Sequence, residues 1–281
     1  MIAFRKLFPV VEKVLPPLAN RWAFNLFFKP IRFTWPKREM PVMESAVKFR
    51  LNAGNLQVQC YSWGQGPVVL FVHGWSGRGT QFFKFVEPFV ERGFKVVAFD
   101  GPAHGASSGK RTNIIEFEQV LKALKEYYGD ICGVITHSFG GAATIFAMSQ
   151  GLPVENLINI ASPTNGDKII EEFLKKINGS AKVGASFDNL VQKKYGRPFS
   201  SFSSEVLAEQ LPPFNLLLIH DKNDKEVSID QAETLKALIP GAEIMVTSLL
   251  GHTRILRNEA VIDKSLSFII EKTKKPEFTS T

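Results

Sequence analysis

The feature that most constrains this chain is a series of short apolar runs. They are Pro67–Val72, Phe94–Phe99, Ile131–Ile135, Leu157–Ala161, Asn215–Ile219 and Glu243–Thr247. Runs this short that are apolar on successive residues suit strands buried on both faces, as in parallel sheets covered by helices on each side. Helical patterns lie between them. The clearest is Ile114–Tyr128, where Phe117, Val120, Leu121, Leu124 and Tyr128 share a face. Ahead of the series, Ala46–Asn52 and Leu56–Trp63 alternate roughly and are joined by Ala53-Gly54-Asn55, a hairpin signal. Two antiparallel strands followed by six parallel ones make an α/β, eight-stranded, mostly parallel, doubly wound sheet. Ligands of such sheets bind beyond the carboxyl ends of the strands, so the strand tails are where chemistry is expected.

One tail carries Thr136-His137-Ser138-Phe139-Gly140-Gly141 between an apolar strand and the buried helical run Ala142–Met148. Strand, small-x-Ser-x-Gly, helix is the layout of a nucleophile elbow. A turn this tight has no room for side chains two residues before and after the serine. Thr136 and Gly140 occupy those places, and Thr136 is larger than the glycine usual there. The strain lifts the Ser138 hydroxyl clear of the sheet edge. The N–H of Phe139 then lies at a helix N-terminus, where an oxyanion would be met.

Composition narrows the classes further. With 281 residues, 44% hydrophobic and 22% charged, the chain has the make-up of a globular protein with a sizeable core. Cys60 and Cys132 both fall in expected strands, make no disulfide framework, and suit a reducing, cytoplasmic setting. No paired Cys/His spacing points to a metal, and no phosphate loop or nicotinamide fingerprint points to a cofactor, so neither is expected. The net charge is +7, and residues 1–50, with ten Lys/Arg and three Glu, carry all of it. The remaining body is neutral, which argues against a nucleic-acid partner.

Residues 1–45 read as a basic, aromatic arm, with Phe4, Phe8, Trp22, Phe24, Phe27, Phe28, Phe33 and Trp35 among basic residues and prolines. Its apolar runs are too interrupted for a signal peptide core or a membrane span. Helical spacing shows only between Leu18 and Phe28. Two readings stand: an arm whose aromatic face packs on the domain, or a peripheral membrane contact through residues 1–40. From Pro163 to Pro213 the strand–helix alternation stops. Lys168–Ile177, Phe187–Tyr195 and Ser204–Leu211 read as short helices, broken at Asn178-Gly179 and Gly196-Arg197-Pro198. The expected division is therefore arm 1–45, sheet core 46–162 and 214–274, helical cap 163–213, and a flexible tail 275–281.

The other strand tails carry His73-Gly74-Trp75, Asp100 through His104-Gly105-Ala106-Ser107, Asp224-Lys225-Glu226-Val227, and Gly251-His252. With Thr136-His137-Ser138-Phe139-Gly140-Gly141 in this order, the chain from about Ala46 to Lys272 resembles the α/β-hydrolase fold superfamily. It is most similar to small intracellular bacterial serine hydrolases with an HGW oxyanion loop and a short helical cap. The resemblance implies a catalytic triad of Ser138, Asp224 and His252, with oxyanion donors in the backbone N–H groups of Trp75 and Phe139. Asp224 stands three residues before Val227, as in the family pattern; Asp221 is the rival. His252 would take the serine proton, and a carboxylate on its far ring nitrogen would fix the tautomer. His73 and His104 are expected to brace loops, His137 to face away from the serine, and His220 to pack or hydrogen-bond near a strand end. Arg78 would meet either an anionic substrate group or a salt-bridge partner, and Asp100 reads as a turn-former.

These residues imply an enzyme that cleaves an ester or related acyl bond of a small-molecule substrate through an acyl-enzyme. Acyl transfer or C–C bond hydrolysis would use the same groups, since a fold does not choose among them. A non-catalytic binding protein, at a membrane surface through the arm, is the reading from another class. An aspartate at position 138, as in epoxide hydrolases, is absent. Substrate identity and oligomeric state are not legible.

Overall fold

A computed structural model describes residues 2–273, with side chains from Phe4 onward. The tail expected at 275–281 lies outside the described residues. Eight strands form one sheet: β1 (Val47–Ala53), β2 (Leu56–Trp63), β3 (Val68–Val72), β4 (Lys95–Phe99), β5 (Ile131–His137), β6 (Asn156–Ile160), β7 (Asn215–Asp221) and β8 (Glu243–Thr247). Their spatial order is β1-β2-β4-β3-β5-β6-β7-β8. The hairpin partner β1 and the β2–β4 contact are antiparallel, and β3 to β8 run parallel, as the apolar runs require.

Twelve α-helices accompany the sheet among the described residues: α1 (Ile2–Val14), α2 (Pro16–Phe27), α3 (Met40–Ser45), α4 (Phe83–Glu91), α5 (Ile114–Tyr128), α6 (Phe139–Ser149), α7 (Gly166–Ile177), α8 (Ala181–Tyr195), α9 (Ser204–Ala208), α10 (Ile229–Leu238), α11 (Gly251–Arg254) and α12 (Glu259–Lys272). The period-2 direction of each strand divides the core. Val68, Leu70 and Val72 of β3 pack with Leu121 and Leu124 of α5 and Ile145 of α6 on one face. Val69 and Phe71 pack with Phe85 and Phe89 of α4 and Phe268 of α12 on the other. Every residue of β3 is buried, which is why no alternation shows in its sequence.

Local signals set the helix ends. Asn113 caps α5 by accepting from the N–H groups of Ile115 and Glu116, and Gly129 follows it at φ 71°. Asn165 caps α7, and Asn178 ends it in the left-handed region. Ser180 caps α8, and Gly196 ends it the same way. The breaks read from the sequence are thus two C-terminal caps. α8 begins six residues ahead of its expected start, at Ala181 instead of Phe187, because Gly184 and Ser186 blur its apolar period. α9 stops at Ala208, short of the expected Leu211, since Pro212 disfavours helical backbone in the residue before it.

The arm departs most from expectation. Its first segment is helix α1, with Pro9 inside it. Proline there sacrifices a hydrogen bond, and the packing of Phe8, fully buried against Ala19, Ala23, Ile177 and Val183, outweighs the loss. α1 and α2 therefore join α7 and α8 in one helical layer. Phe27 at the end of α2 lies 4.8 Å from Phe187, 5.1 Å from Phe173 and 5.5 Å from Phe199, ring centre to ring centre. Aromatic pairs of this kind add about 0.5–1.5 kcal/mol each beyond burial. Past α2 the chain is stitched to the strand-tail loops. Arg32 donates to the carbonyls of Ala103, Ser107 and Gly109, and the Ile31 N–H donates to Ser76 Oγ.

Candidate active site

β5 ends at His137, and α6 starts at Phe139, so Ser138 alone makes the turn. Its backbone sits at φ 51°, ψ −126°, a strained conformation for a residue with a side chain. The turn is held by the Ser138 N–H on the Ile160 carbonyl at 2.9 Å and the Gly141 N–H on the Ser138 carbonyl at 2.9 Å. Any Cβ at Gly140 would overlap the carbonyl oxygens of Val72 and His73. Gly140→Ala is accordingly expected to lose about 1–3 kcal/mol of stability or more, the scale of overpacking, read as a lowered midpoint in urea unfolding.

Three side chains from distant parts of the chain meet at this turn. His252 Nε2 lies 3.0 Å from Ser138 Oγ, and its Nδ1 lies 2.7 Å from Asp224 Oδ2. The other Asp224 oxygen accepts from the N–H groups of Glu226 at 2.8 Å and Val227 at 3.1 Å. Burial alone would raise the Asp224 carboxyl, but the hydrogen bond and charge of His252 and these two N–H groups hold it below the usual carboxylate range. The rival Asp221 does not reach the imidazole bond. It accepts from Leu250 N at 3.0 Å, Thr247 Oγ1 at 2.8 Å and Asn223 N at 2.9 Å, and so fastens the loop that carries His252.

The remaining histidines are buried. His73 Nδ1 donates to the Gly74 carbonyl at 2.7 Å, and its Nε2 accepts from the Gly101 N–H at 2.7 Å, tying two strand-tail loops together. His104 Nε2 accepts from the Ser76 N–H at 2.9 Å, so it too steadies the loop after β3. His220 Nε2 bonds the Val227 carbonyl at 2.9 Å beside Asp224. His137 meets a partner that the sequence reading did not name. Its Nε2 donates to the His252 carbonyl at 2.8 Å, its Nδ1 accepts from Gln81 Nε2 at 3.1 Å, and the two imidazoles lie 4.9 Å apart. Strand alternation tells which side of the sheet His137 leaves from; it does not tell that the loop carrying His252 crosses that side. Burial pushes His137 down to about 3, His104 to about 3 and His73 to about 4, so all three are neutral braces.

Trp75 and Phe139 flank the serine, their rings 5.3 Å apart. As the first residue of α6, Phe139 has an N–H with no partner inside the helix. Arg78 is committed to the arm: Nε lies 3.0 Å from Glu39, and Nη1 donates to the carbonyls of Phe33 and Thr34. Asp100 is the expected turn-former, accepting from Gly79, Ala106 and Tyr61.

Above Ser138 and His252 opens a cavity of about 770 Å³, within the range of small-molecule sites. Its walls come from the arm, the strand-tail loops and the helical layer: Leu26, Phe27, Ile31 and Phe33; Trp75 and Phe139; Ile169, Phe173, Tyr195 and Phe199. The arm's share in this wall was not legible in its sequence. Of the cap aromatics, Tyr195 and Phe199 face the cavity, while Phe187 packs behind Phe27. Among the described residues no group of three or more His, Cys, Asp or Glu comes together as a metal site.

Comparison with known proteins gives this geometry its relatives. The chain is 32% identical over 132 residues to a human protein named serine hydrolase-like protein, a match that covers 44% of this chain and 63% of that one. The chain thus spans less than two thirds of that relative. It is 25% identical over 266 residues to a 2-hydroxy-6-oxononadienedioate/2-hydroxy-6-oxononatrienedioate hydrolase of Klebsiella pneumoniae, covering 75% of this chain and 91% of that one. Among solved structures, a putative lipase from Acinetobacter baumannii superposes with a TM-score of 0.66 at 16% identity, covering 85% of this chain and 98% of the other, which speaks to the fold alone. The model of the alpha/beta hydrolase family matches residues 69–264, from β3 into α12 and through Ser138, Asp224 and His252, and on that match the chain belongs to the alpha/beta hydrolase family.

Proposed function

We propose that this chain is a serine hydrolase that cleaves an ester or related acyl bond through an acyl-enzyme. One observation carries the reading: the unbroken hydrogen-bonded series from Asp224 through His252 to Ser138 at the floor of an apolar cavity. A serine hydroxyl needs a base to become a nucleophile near neutral pH, and a base needs a partner to hold its tautomer. In the reaction, Ser138 Oγ attacks the acyl carbon as His252 Nε2 takes its proton. The backbone N–H groups of Trp75 and Phe139 receive the developing oxyanion. His252 returns the proton to the leaving alcohol, leaving an acyl-Ser138 ester. Water then attacks with His252 again as base, and the acid product departs. Asp224 stays ionised throughout and stabilises the imidazolium. Cys60 and Cys132 are free thiols, which fits a reducing, cytoplasmic site of action.

The cavity wall supports an aliphatic or aromatic acyl group over a small polar one. Each methylene buried is worth about 0.8 kcal/mol, so two carbons are worth roughly tenfold in kcat/KM. A p-nitrophenyl ester series from acetate upward should climb at about that rate until the cavity fills. A series that falls from acetate onward would sink the apolar-substrate reading. Labelling by a fluorophosphonate probe, lost in Ser138→Ala, tests the nucleophile directly. The likeness to the Klebsiella enzyme favours a second reading, C–C hydrolysis on the same groups. Faster turnover of a 2-hydroxy-6-oxo-dienoate than of any ester in the series would put that reading first.

A further inference from the structure

α1 buries one side and leaves another unpartnered. Phe8 faces Ala19, Ala23, Ile177 and Val183, and the Glu12 carboxylate accepts from the N–H and hydroxyl of Ser180, which fastens α1 to the start of α8. The opposite flank carries Leu7, Val10 and Val14, which are 52%, 57% and 68% exposed. Spaced i, i+3 and i+7, they form a single strip along the helix. Leu15, 54% exposed, continues it at the turn into α2. Exposed Lys6 and Lys13 run beside the strip. Glu12 is the one carboxylate in residues 1–38, and it is turned to Ser180, so the arm's own charge beside the strip is basic. Solitary exposed aliphatic residues are ordinary on a protein surface; a row of them at helical spacing is not.

We infer that this strip docks the protein on an anionic lipid surface, with the aliphatic side chains entering the acyl boundary and the basic residues meeting lipid phosphates. An apolar row bordered by lysines is the pattern of a helix lying in the membrane interface. Among the described residues no helix is long and apolar enough to cross a membrane, so the contact is peripheral. The arm's aromatic side chains are largely turned inward, so the docking face is aliphatic. α1 turns at Leu15 into α2, whose Leu26 and Phe27 line the cavity, and the segment after α2 places half-exposed Ile31 and Phe33 on the same wall. Docking would therefore hold the lipid phase against the helical layer that roofs the serine. The inference concerns binding and stands apart from the proposed reaction, so each can fail alone.

Sedimentation of the full chain with vesicles tests it. Vesicles of phosphatidylcholine with roughly 30% phosphatidylglycerol should bind at least about tenfold more protein than phosphatidylcholine alone, and about 0.5 M salt should remove most of that preference. Leu7→Gln/Val10→Gln/Val14→Gln should lower binding about tenfold or more while leaving the circular dichroism spectrum and hydrolysis of a short soluble ester unchanged. Should that variant misfold, Lys6→Gln/Lys13→Gln supplies the test through loss of the anionic preference alone. Wild-type protein left in the supernatant with both vesicle types overturns the inference. So does a wild-type dimer that the aliphatic variant converts to a monomer without lipid binding, which would make the strip a contact between two copies.

Discussion

Ser138→Ala is expected to lower kcat for any ester this chain hydrolyses by about 10⁴-fold or more, leaving KM within a few-fold, because it removes the attacking atom and little binding surface. The acid position gives a sharper comparison. Asp224→Asn keeps the size of the side chain and can still bond His252 Nδ1, but it offers an amide where a carboxylate now holds the proton on that nitrogen. The wrong tautomer, together with loss of the charge beside the imidazolium, should cost about 10⁴-fold in kcat, as at the equivalent position of serine proteases. Asp221→Asn should behave differently. Asp221, the last residue of β7, accepts from Leu250, Thr247 and Asn223 and makes no bond to the imidazole. Its loss should appear chiefly as reduced stability, with a much smaller fall in kcat. Steady-state rates and urea midpoints on the two variants check the pair. Equal kcat losses at equal stability would return the acid role to doubt.

Acidification is expected to destabilise this protein before its carboxylates titrate. Burial depresses four of the five imidazoles: His73 to about 4, His104 and His137 to about 3, and His220 in the same direction. Each binds a proton more readily in the unfolded chain, where an imidazole titrates near 6.5. Their neutral form therefore supports the fold fully above about pH 6.5, and that support drains away as pH falls toward the depressed values. Each such histidine removes up to about 1.4 kcal/mol per pH unit in that window. For His73, His104 and His137 together, the loss by pH 5 approaches about 6 kcal/mol, a large part of the 5–15 kcal/mol typical of a domain. Asp224, held below its usual range, adds its own loss only as pH drops under about 4. Asp100, raised by burial, acts in the opposite sense once it protonates. Chemical denaturation at pH 7.5, 6 and 5 reads this directly. An unfolding free energy that stays level from pH 7 to pH 5 would mean that these histidines are not the dry, neutral braces described above. His73→Gln, which can keep one hydrogen bond without the titration, should flatten the slope by about one proton.

The parts of this protein that its sequence determined are those where chemistry is local. Five- and six-residue apolar runs such as Val68–Val72 are too short for buried helices and rich in β-branched residues, so they read as strands covered on both faces. The elbow is legible because the turn at Ser138 excludes side chains at Gly140, a steric demand written within a few residues. Caps such as Asn113 and Gly196 act on their own helix. Asp224 was preferred to Asp221 only on the spacing that the family resemblance implies; in the fold that spacing lets the carboxylate take the N–H of Val227, three residues on.

The tertiary structure decided what depends on surfaces meeting across long separations. Pro9 argued against a helix at the start of the chain, and burial of Phe8 against Ile177 and Val183 reversed that local preference. The arm's place in the cavity wall follows from Phe27 packing on Phe173, Phe187 and Phe199, contacts spanning well over a hundred residues with no trace in residues 16–28 alone. Alternation gives His137 a direction and not a neighbour, and the loop bearing His252, which its ring meets, comes from the far end of the sheet. The exposed strip of α1 shows the same limit. Its aliphatic and aromatic residues look alike in sequence, and which of them faces the protein is settled only when the helix packs on α2 and α7.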